Sequence, residues 1–262
     1  MKKRLANLIP VPIRPELRKI YHLPRNIIGG IHAWLTFKKI GLEFKNYFID
    51  LAHLKPEHCV LEVGCGIGRM ATPLTDYLSG DGEYWGIDVI KEEIDGCRRR
   101  ISTKFGNFHF QHVDIYNKFY NPAGQILAQD FHLPFEDRSF DLVFLTSVFT
   151  HMLPVDVENY MSEISRVLKT GGTCLMTFFL LTVESQGLIK SGRSTLDFKH
   201  EMDGYLTTNN NVPEIAIAFD EKFVKRLFEK HGLEIAQPIR YGSWCGRDRF
   251  LSYQDLVIAT KL

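Results

Sequence analysis

The stretch from Val60 to Met70 reads VLEVGCGIGRM. An apolar run fit for a buried strand ends in three glycines at alternate positions, Gly64, Gly66 and Gly68, and passes into a segment with helical spacing. Glycine serves where backbone torsions are unusual or where a ligand must lie directly on the main chain. Strand, glycine turn and helix in that order open an α/β unit, whose first turn faces the ligand side of the sheet. Two familiar loops do not fit. A Walker loop needs G-x-x-x-x-G-K-[ST], which is absent, and a dinucleotide loop needs G-x-G-x-x-G, whereas the spacing here is G-x-G-x-G with Arg69 following.

The rest of the chain repeats the alternation. Residues 58–63, 82–88, 107–114, 140–146 and 173–181 read as strands. Residues 69–78, 90–102, 155–168 and 220–231 read as helices, the third with Val157, Tyr160, Met161, Ile164, Val167 and Leu168 on one face and a stop at Gly171-Gly172. This pattern predicts a mostly parallel sheet covered on both faces. Residues 233–239 and 252–260 read as strands with no helix between them, which predicts an antiparallel hairpin at one edge. The expected fold is therefore α/β, a doubly wound, mostly parallel seven-stranded sheet. Ahead of it, residues 31–53 carry Trp34, Phe37, Ile40, Phe44, Phe48 and Leu51 at helical steps. The expected division is a basic arm and helical extension over 1–54 and a sheet domain over 55–262. Long connections at 115–131 and 183–219 suit lids or acceptor-binding loops.

Five landmarks in order resemble the class I S-adenosylmethionine (SAM)-dependent methyltransferases, a Rossmann-like family. VLEVGCGIGR is similar to that family's first motif, an acid followed by G-x-G-x-G. YWGIDV ends the second strand on Asp88, and FQHVDI ends the third on Asp114. LPFEDRSFDLVFLTSVFTHM resembles the fourth strand and its turn, and EISRVLKTGGTCLMTFF the next helix, glycine turn and fifth strand. The resemblance spans residues 55–182 and implies SAM as cofactor. It implies contacts from Glu62, Gly64, Cys65, Gly66, Gly68 and Arg69 of the first motif, from Asp88 and Val89 at the ribose, from Asp114 and Ile115 at the adenine, and from Thr146 and Ser147 behind the fourth strand. An acid placed like Asp88 accepts hydrogen bonds from ribose hydroxyls in dinucleotide folds as well. Because 115–130 lengthens the usual distance to FDLVF, AQDFHLPF offers Asp130 with Phe131 as a second candidate at the adenine; Asp114 is preferred because it ends a strand that alternates properly.

Methyl transfer from a sulfonium is an in-line displacement, so the protein chiefly positions the acceptor and excludes water. A hydroxyl acceptor must also lose a proton, and histidine is the commonest base. His151, in TSVFTHML, is the candidate, with Asp156 or Glu158 to orient it; the alternative is a polar residue at a helix start. His112 reads as structural. The acceptor side is expected from 115–131, 183–219 and the terminal YGSWCGRDRFLSYQD. TTNNNVPE (207–214) concentrates amides suited to a hydroxyl-rich ligand, and Tyr241, Trp244, Arg247 and Arg249 suit a sugar or a phosphorylated glycan. The competing reading is an asparagine turn and a core tryptophan. The expected function is O-methylation of a small molecule, a sugar or a glycan–lipid. The rival classes are a non-catalytic subunit of the same fold and an RNA methyltransferase. LTSV at 145–148 stands where nucleobase amino-methyltransferases carry Asn/Asp-Pro-Pro-aromatic, which argues against DNA.

Charge and cysteine content narrow the partners. A formal net charge of +1 gives no polyanion-binding signature, which disfavours RNA. Five scattered cysteines without a C-x-x-C pair predict neither a metal site nor a disulfide framework and fit a reducing, cytoplasmic setting. Residues 1–25 carry seven basic residues against Glu16 alone. Their apolar part, residues 5–13, is short and broken by Pro10 and Pro12, so it reads as neither a signal peptide nor a spanning helix. It suits a solvated arm, or a peripheral segment lying on an anionic membrane or a partner.

Overall fold

The structure, a computed structural model, describes residues 27–262, with side chains from residue 35 onward. The basic arm over 1–25 and the side chain of Trp34 lie outside the described residues. Along the chain run α1 (Ile27–Asp50), β1 (Cys59–Val63), the single turn α2 (Ala71–Leu74), β2 (Glu83–Asp88) and α3 (Lys91–Cys97), which continues as a π-helical turn, Arg98–Ser102. Then come β3 (Phe108–His112), β4 (Ile115–Tyr116), β5 (Ile126–Leu127), β6 (Phe140–Leu145), α4 (Pro154–Val167), β7 (Leu168–Phe178) and β8 (Leu180–Leu181). The chain ends with α5 (Val183–Lys190), β9 (His200–Met202), β10 (Tyr205–Thr207), β11 (Ile217–Asp220), α6 (Glu221–Lys230), β12 (Leu233–Ile235) and β13 (Asp255–Lys261).

Seven strands form the central sheet in the order β12-β13-β7-β6-β1-β2-β3. The five from β7 to β3 are parallel, while β13 runs antiparallel to β7, and β12 to β13. The winding reverses beside β1: the chain goes out to β2 and β3 on one side, then returns to β6 and β7 on the other. Such a switch point leaves a crevice beyond the carboxyl ends of the strands. Successive residues of β1 point to opposite faces. Val60 packs with Phe44, Phe48 and Phe144 on one face, and Leu61 with Ile87, Val143 and Val157 on the other. The Phe48 ring of α1 lies 4.1 Å from that of Phe144, so α1 is docked against the middle of the sheet. Among the described residues no helix is long and apolar enough to cross a membrane.

The expected sheet is present, with local differences. Gly171-Gly172 lies inside β7 and does not stop a helix; α4 already ends at Val167, and β7 pairs with β6 through a register shift between Phe140 and Leu142. The strand read over 233–239 ends at Ile235. The 183–219 connection is not a bare loop: β8, β11, β10 and β9 form a second sheet with its own core around Phe179, Phe198 and Trp244. Asp255, fully buried at the start of β13, joins this unit to the main sheet. Its carboxylate accepts from Leu180 N (2.7 Å), Gly242 N (2.6 Å) and Trp244 Nε1 (2.8 Å). Asp255→Ala leaves three buried donors unpaired and should lower stability by about 3 kcal/mol or more, read as a drop in urea midpoint at unchanged m-value.

Candidate active site

The glycine turn folds back over the end of β2. Gly64 N and Cys65 N both donate to Ile87 O, at 2.8 and 3.0 Å. Gly64, Gly66 and Gly68 have φ of +79°, +51° and +81°. At Gly64 a Cβ would also stand 2.4 Å from Val148 Cγ2, so both torsion and space exclude a side chain. Asp88 closes the turn: Oδ2 accepts from Gly66 N at 2.7 Å and Oδ1 from Ile90 N at 2.9 Å. From behind, Cys97 Sγ contacts Gly66 O at 3.4 Å and Arg100 Nη2 donates to Ile67 O at 3.1 Å.

A cavity of about 400 Å³ opens over this turn. Glu62, Gly64, Cys65, Gly66 and Arg69 line it from the first motif, and Asp88 and Val89 from the end of β2. Ile115 lines it beyond β3, and Thr146, Ser147 and His151 across the switch point. Glu62 is buried and takes the Tyr84 hydroxyl. Burial pushes its carboxyl up to about 8, with the Tyr84 bond and Arg69 opposing and Asp88 adding to the rise. Ser147 holds a left-handed backbone (φ +61°), with N bonded to Thr177 Oγ1 (2.7 Å) and Oγ to Gln254 Oε1 (2.9 Å).

Two expected contacts are not on the cavity. Gly68 lies behind the turn, where a Cβ would meet Ile101 Cδ1 at 2.9 Å. Asp114 points away: β3 ends at His112, and the alternation then turns Val113 and Ile115 inward. The Asp114 carboxylate takes Asn121 Nδ2 (3.3 Å), and its carbonyl takes Gln125 N and Ile126 N. Asp130 is exposed and does not line the cavity either, although Ala128 does. The acceptor-side expectations also shift. Trp244 is fully buried against Phe179 and Phe198, and Arg247 pairs with Glu184 while covering Tyr241. Arg249 is exposed. Asn209 Oδ1 closes a turn onto Asn211 N and Val212 N. None of 207–214 or 240–250 lines the cavity, because these residues build the second sheet and its junction. His112 Nε2 contacts Val89 O at 3.2 Å, a structural contact.

His151 is 2% exposed. Its ring is oriented by neither Asp156 nor Glu158. Asp156 caps α4 through Leu153 N, and Glu158 pairs with Lys230 at the surface. Instead, Nδ1 donates to Glu214 O at 2.8 Å, so Nε2 keeps its lone pair. Nε2 is buried with no hydrogen-bond partner. Burial pushes the imidazole down to about 4, with the Glu214 and Ile215 backbone bonds partly opposing. Phe37, Tyr116, Asn117, Phe119, Tyr120 and Met152 line the remaining wall; four of them come from the 115–131 connection expected on the acceptor side, where YNKFYNP is their visible signal, while Phe37 and Met152 are not foreseen as site residues.

Residues 61–176 match the family model of a methyltransferase domain. Those residues carry a methyltransferase domain, of the kind that uses SAM. Over 125 residues the chain is 30% identical to the O-methyltransferase cnsE of Penicillium expansum, a match covering 47% of this chain and 38% of that protein. The chain spans less than two thirds of the length of the curated relatives it matches. The methyltransferase fold is shared more widely. The PH0226 protein from Pyrococcus horikoshii OT3 has a TM-score of 0.59 at 18% identity, over 87% of this chain and 92% of its own. Magnesium protoporphyrin IX methyltransferase from Synechocystis PCC 6803, solved with bound SAH, has a TM-score of 0.55 at 15% identity, over 94% and 93%. The methyltransferase cavity fits SAM on its own features: a turn with no room for Cβ at Gly64, a carboxylate at the end of β2, and acids for a cationic ligand.

Gly64→Ala and Asp88→Ala should each abolish measurable SAM binding by calorimetry. A cation seated beside Glu62 favours its ionised form. SAM binding at pH 7 should therefore release protons, seen as a buffer-dependent enthalpy, and should tighten from pH 6 to pH 8 as the carboxyl near 8 loses its proton more readily.

Proposed function

We propose that this chain transfers a methyl group from SAM to a hydroxyl oxygen of a small molecule, with His151 as the proton acceptor. The observation that carries the reading is the state of the His151 ring. Nδ1 is occupied by the Glu214 carbonyl, Nε2 is buried and unpartnered, and the residue lines the cavity. Such a nitrogen lacks one hydrogen bond, and an acceptor hydroxyl supplies it. When bound, SAM supplies a methyl carbon on a positively charged sulfur; the O–C bond forms as the C–S bond breaks, and the electron pair stays with sulfur in the neutral thioether.

His151 holds the hydroxyl oxygen in line and takes its proton at Nε2. A base whose conjugate acid lies near 4 is sufficient here. As the oxygen gains its new bond to carbon, its proton becomes far more acidic than that of a free alcohol, so transfer to Nε2 is downhill late in the step. Burial serves the same end, keeping the imidazole neutral and water away from the reacting atoms. Residues 62–67 and Asp88 would hold the nucleoside and amino-acid parts of SAM, and Thr146 and Ser147 line the same cavity as His151. The likeness to a fungal O-methyltransferase supports an oxygen acceptor.

His151→Ala should leave the dissociation constant of SAM unchanged and lower kcat by about 10²–10⁴-fold with an accepted substrate. Near-normal turnover would remove the base assignment. Since His151 is neutral well below pH 6, kcat should show no ionisation near 6.5; a rate that fell with that pKa would contradict the buried state of the ring.

A further inference from the structure

The acceptor half of the cavity is built from aromatic and thioether surface. Phe37 of α1, Tyr116, Phe119 and Tyr120 of the 115–131 connection, and Met152 line it. The Tyr120 ring stands at 83° to the His151 ring, centroids 5.3 Å apart, and Phe119 packs edge-on against Tyr120 at 4.9 Å. The chain fixes these rings deliberately. Asn117 Oδ1 accepts from Phe119 N (3.0 Å) and Tyr120 N (2.9 Å), and Nδ2 donates to His151 O (3.0 Å). Asn117 and Asn121 also exchange backbone bonds at 3.1 and 2.9 Å. The loop that carries the aromatic wall is thereby tied to the backbone of the base itself.

Two of the polar side chains beside the base are already committed, and the Tyr116 and Tyr120 hydroxyls sit on aromatic rings. The Asn117 amide holds three backbone groups, and Ser147 Oγ is engaged by Gln254. The buried polar atom left on this wall without a partner is His151 Nε2, which takes one hydroxyl. The balance of side chains is unfavourable to anionic acceptors. Four acids, Glu62, Asp88, Glu93 and Asp156, line the cavity, while Arg69 is the sole cationic side chain among its described lining residues and acts on Glu62. A sugar would need several hydrogen-bonding side chains around its ring, and the amide-rich and arginine-rich segments suited to that work lie outside the cavity.

We propose that the acceptor is a flat aromatic alcohol, a phenol or naphthol, stacked against the Phe119–Tyr120 wall with its hydroxyl on His151 Nε2. This rests on the reading of the chain as an O-methyltransferase with His151 as base. The step balances: the aryl oxygen bonds the methyl carbon, the C–S electron pair leaves on sulfur, and the phenolic proton moves to Nε2. Aromatic side chains add attraction for a ring beyond the area they cover, and one such pair corresponds to roughly a tenfold change in affinity.

The test needs binding before turnover. The full chain, saturated with S-adenosylhomocysteine, is titrated calorimetrically with 1-naphthol and, separately, with methyl α-glucoside. The expected result is 1-naphthol binding that weakens about tenfold or more in Tyr120→Ala and in Phe119→Leu, with no heat from the glucoside and no change in S-adenosylhomocysteine affinity in either variant. Labelled SAM should then yield 1-methoxynaphthalene. Glucoside binding tighter than naphthol binding, or naphthol affinity unchanged in both variants, overturns the proposal while leaving the methyltransferase reading intact. Failure of the unaltered chain to bind S-adenosylhomocysteine overturns that reading, and the proposal with it.

Discussion

The site depends on one carboxylate with two backbone partners. Asp88 joins Gly66 N, in the glycine turn, to Ile90 N, at the entry to α3. A turn built from left-handed glycines has no side chains to hold it, and its conformational freedom would be large without an external restraint. Asp88 supplies that restraint from the neighbouring strand, while Ile87 O receives Gly64 N and Cys65 N just before it. An ionised carboxylate offers about four acceptor directions, and Asp88 gives two of them to backbone. One side chain thus serves fold and site together, and the crevice at the switch point has a fixed floor against which the opposite wall can be measured.

Burial acts on the two ionisable walls in opposite senses and with the same outcome. It raises Glu62 to about 8 and lowers His151 to about 4, so both groups are uncharged at neutral pH. A carboxyl that becomes charged only beside a cation suits a sulfonium-bearing ligand. An imidazole that stays neutral suits a reaction that ends by releasing a proton. The two settings come from the same dry environment, with Tyr84 and Arg69 softening the first and the Glu214 and Ile215 backbone softening the second.

The sheet and its ligand turn were legible because their signals are local. An apolar run, alternate glycines and an acid at the end of the next strand follow one another within 29 residues, Val60 to Asp88, and each is enforced by backbone geometry. His151 could be placed on the cavity for the same reason, as it follows β6 directly. Asp114 was less accessible to such reasoning. Period-two alternation gives the phase of a strand but not the residue at which the strand stops, and β3 stops at His112. The ring partner of His151 was invisible for another reason: the main chain of Glu214 holds it, and a carbonyl leaves no trace in residue type. Trp244 and the asparagines at 209–211 have compositions equally suited to sugar recognition and to packing and turns. Trp244 lies in the core beneath the second sheet and the asparagines in the connection from β10 to β11, so packing takes the first and a turn the second.

The two halves of the cavity differ in how far apart their parts lie along the chain. Gly66 and Asp88 are 22 residues apart. His151 is held by Asn117 and Glu214, 34 and 63 residues away, and Ser147 by Gln254, 107 residues away. Closing a longer loop costs more entropy, and contacts of large separation form late. The glycine turn and its carboxylate are therefore local to the chain, although the cavity over them also needs β6, which pairs with β1, and Val148, which lies against Gly64. The turn beside Asp88 is local in sequence, and the surroundings of His151 exist only where segments from across the chain have met.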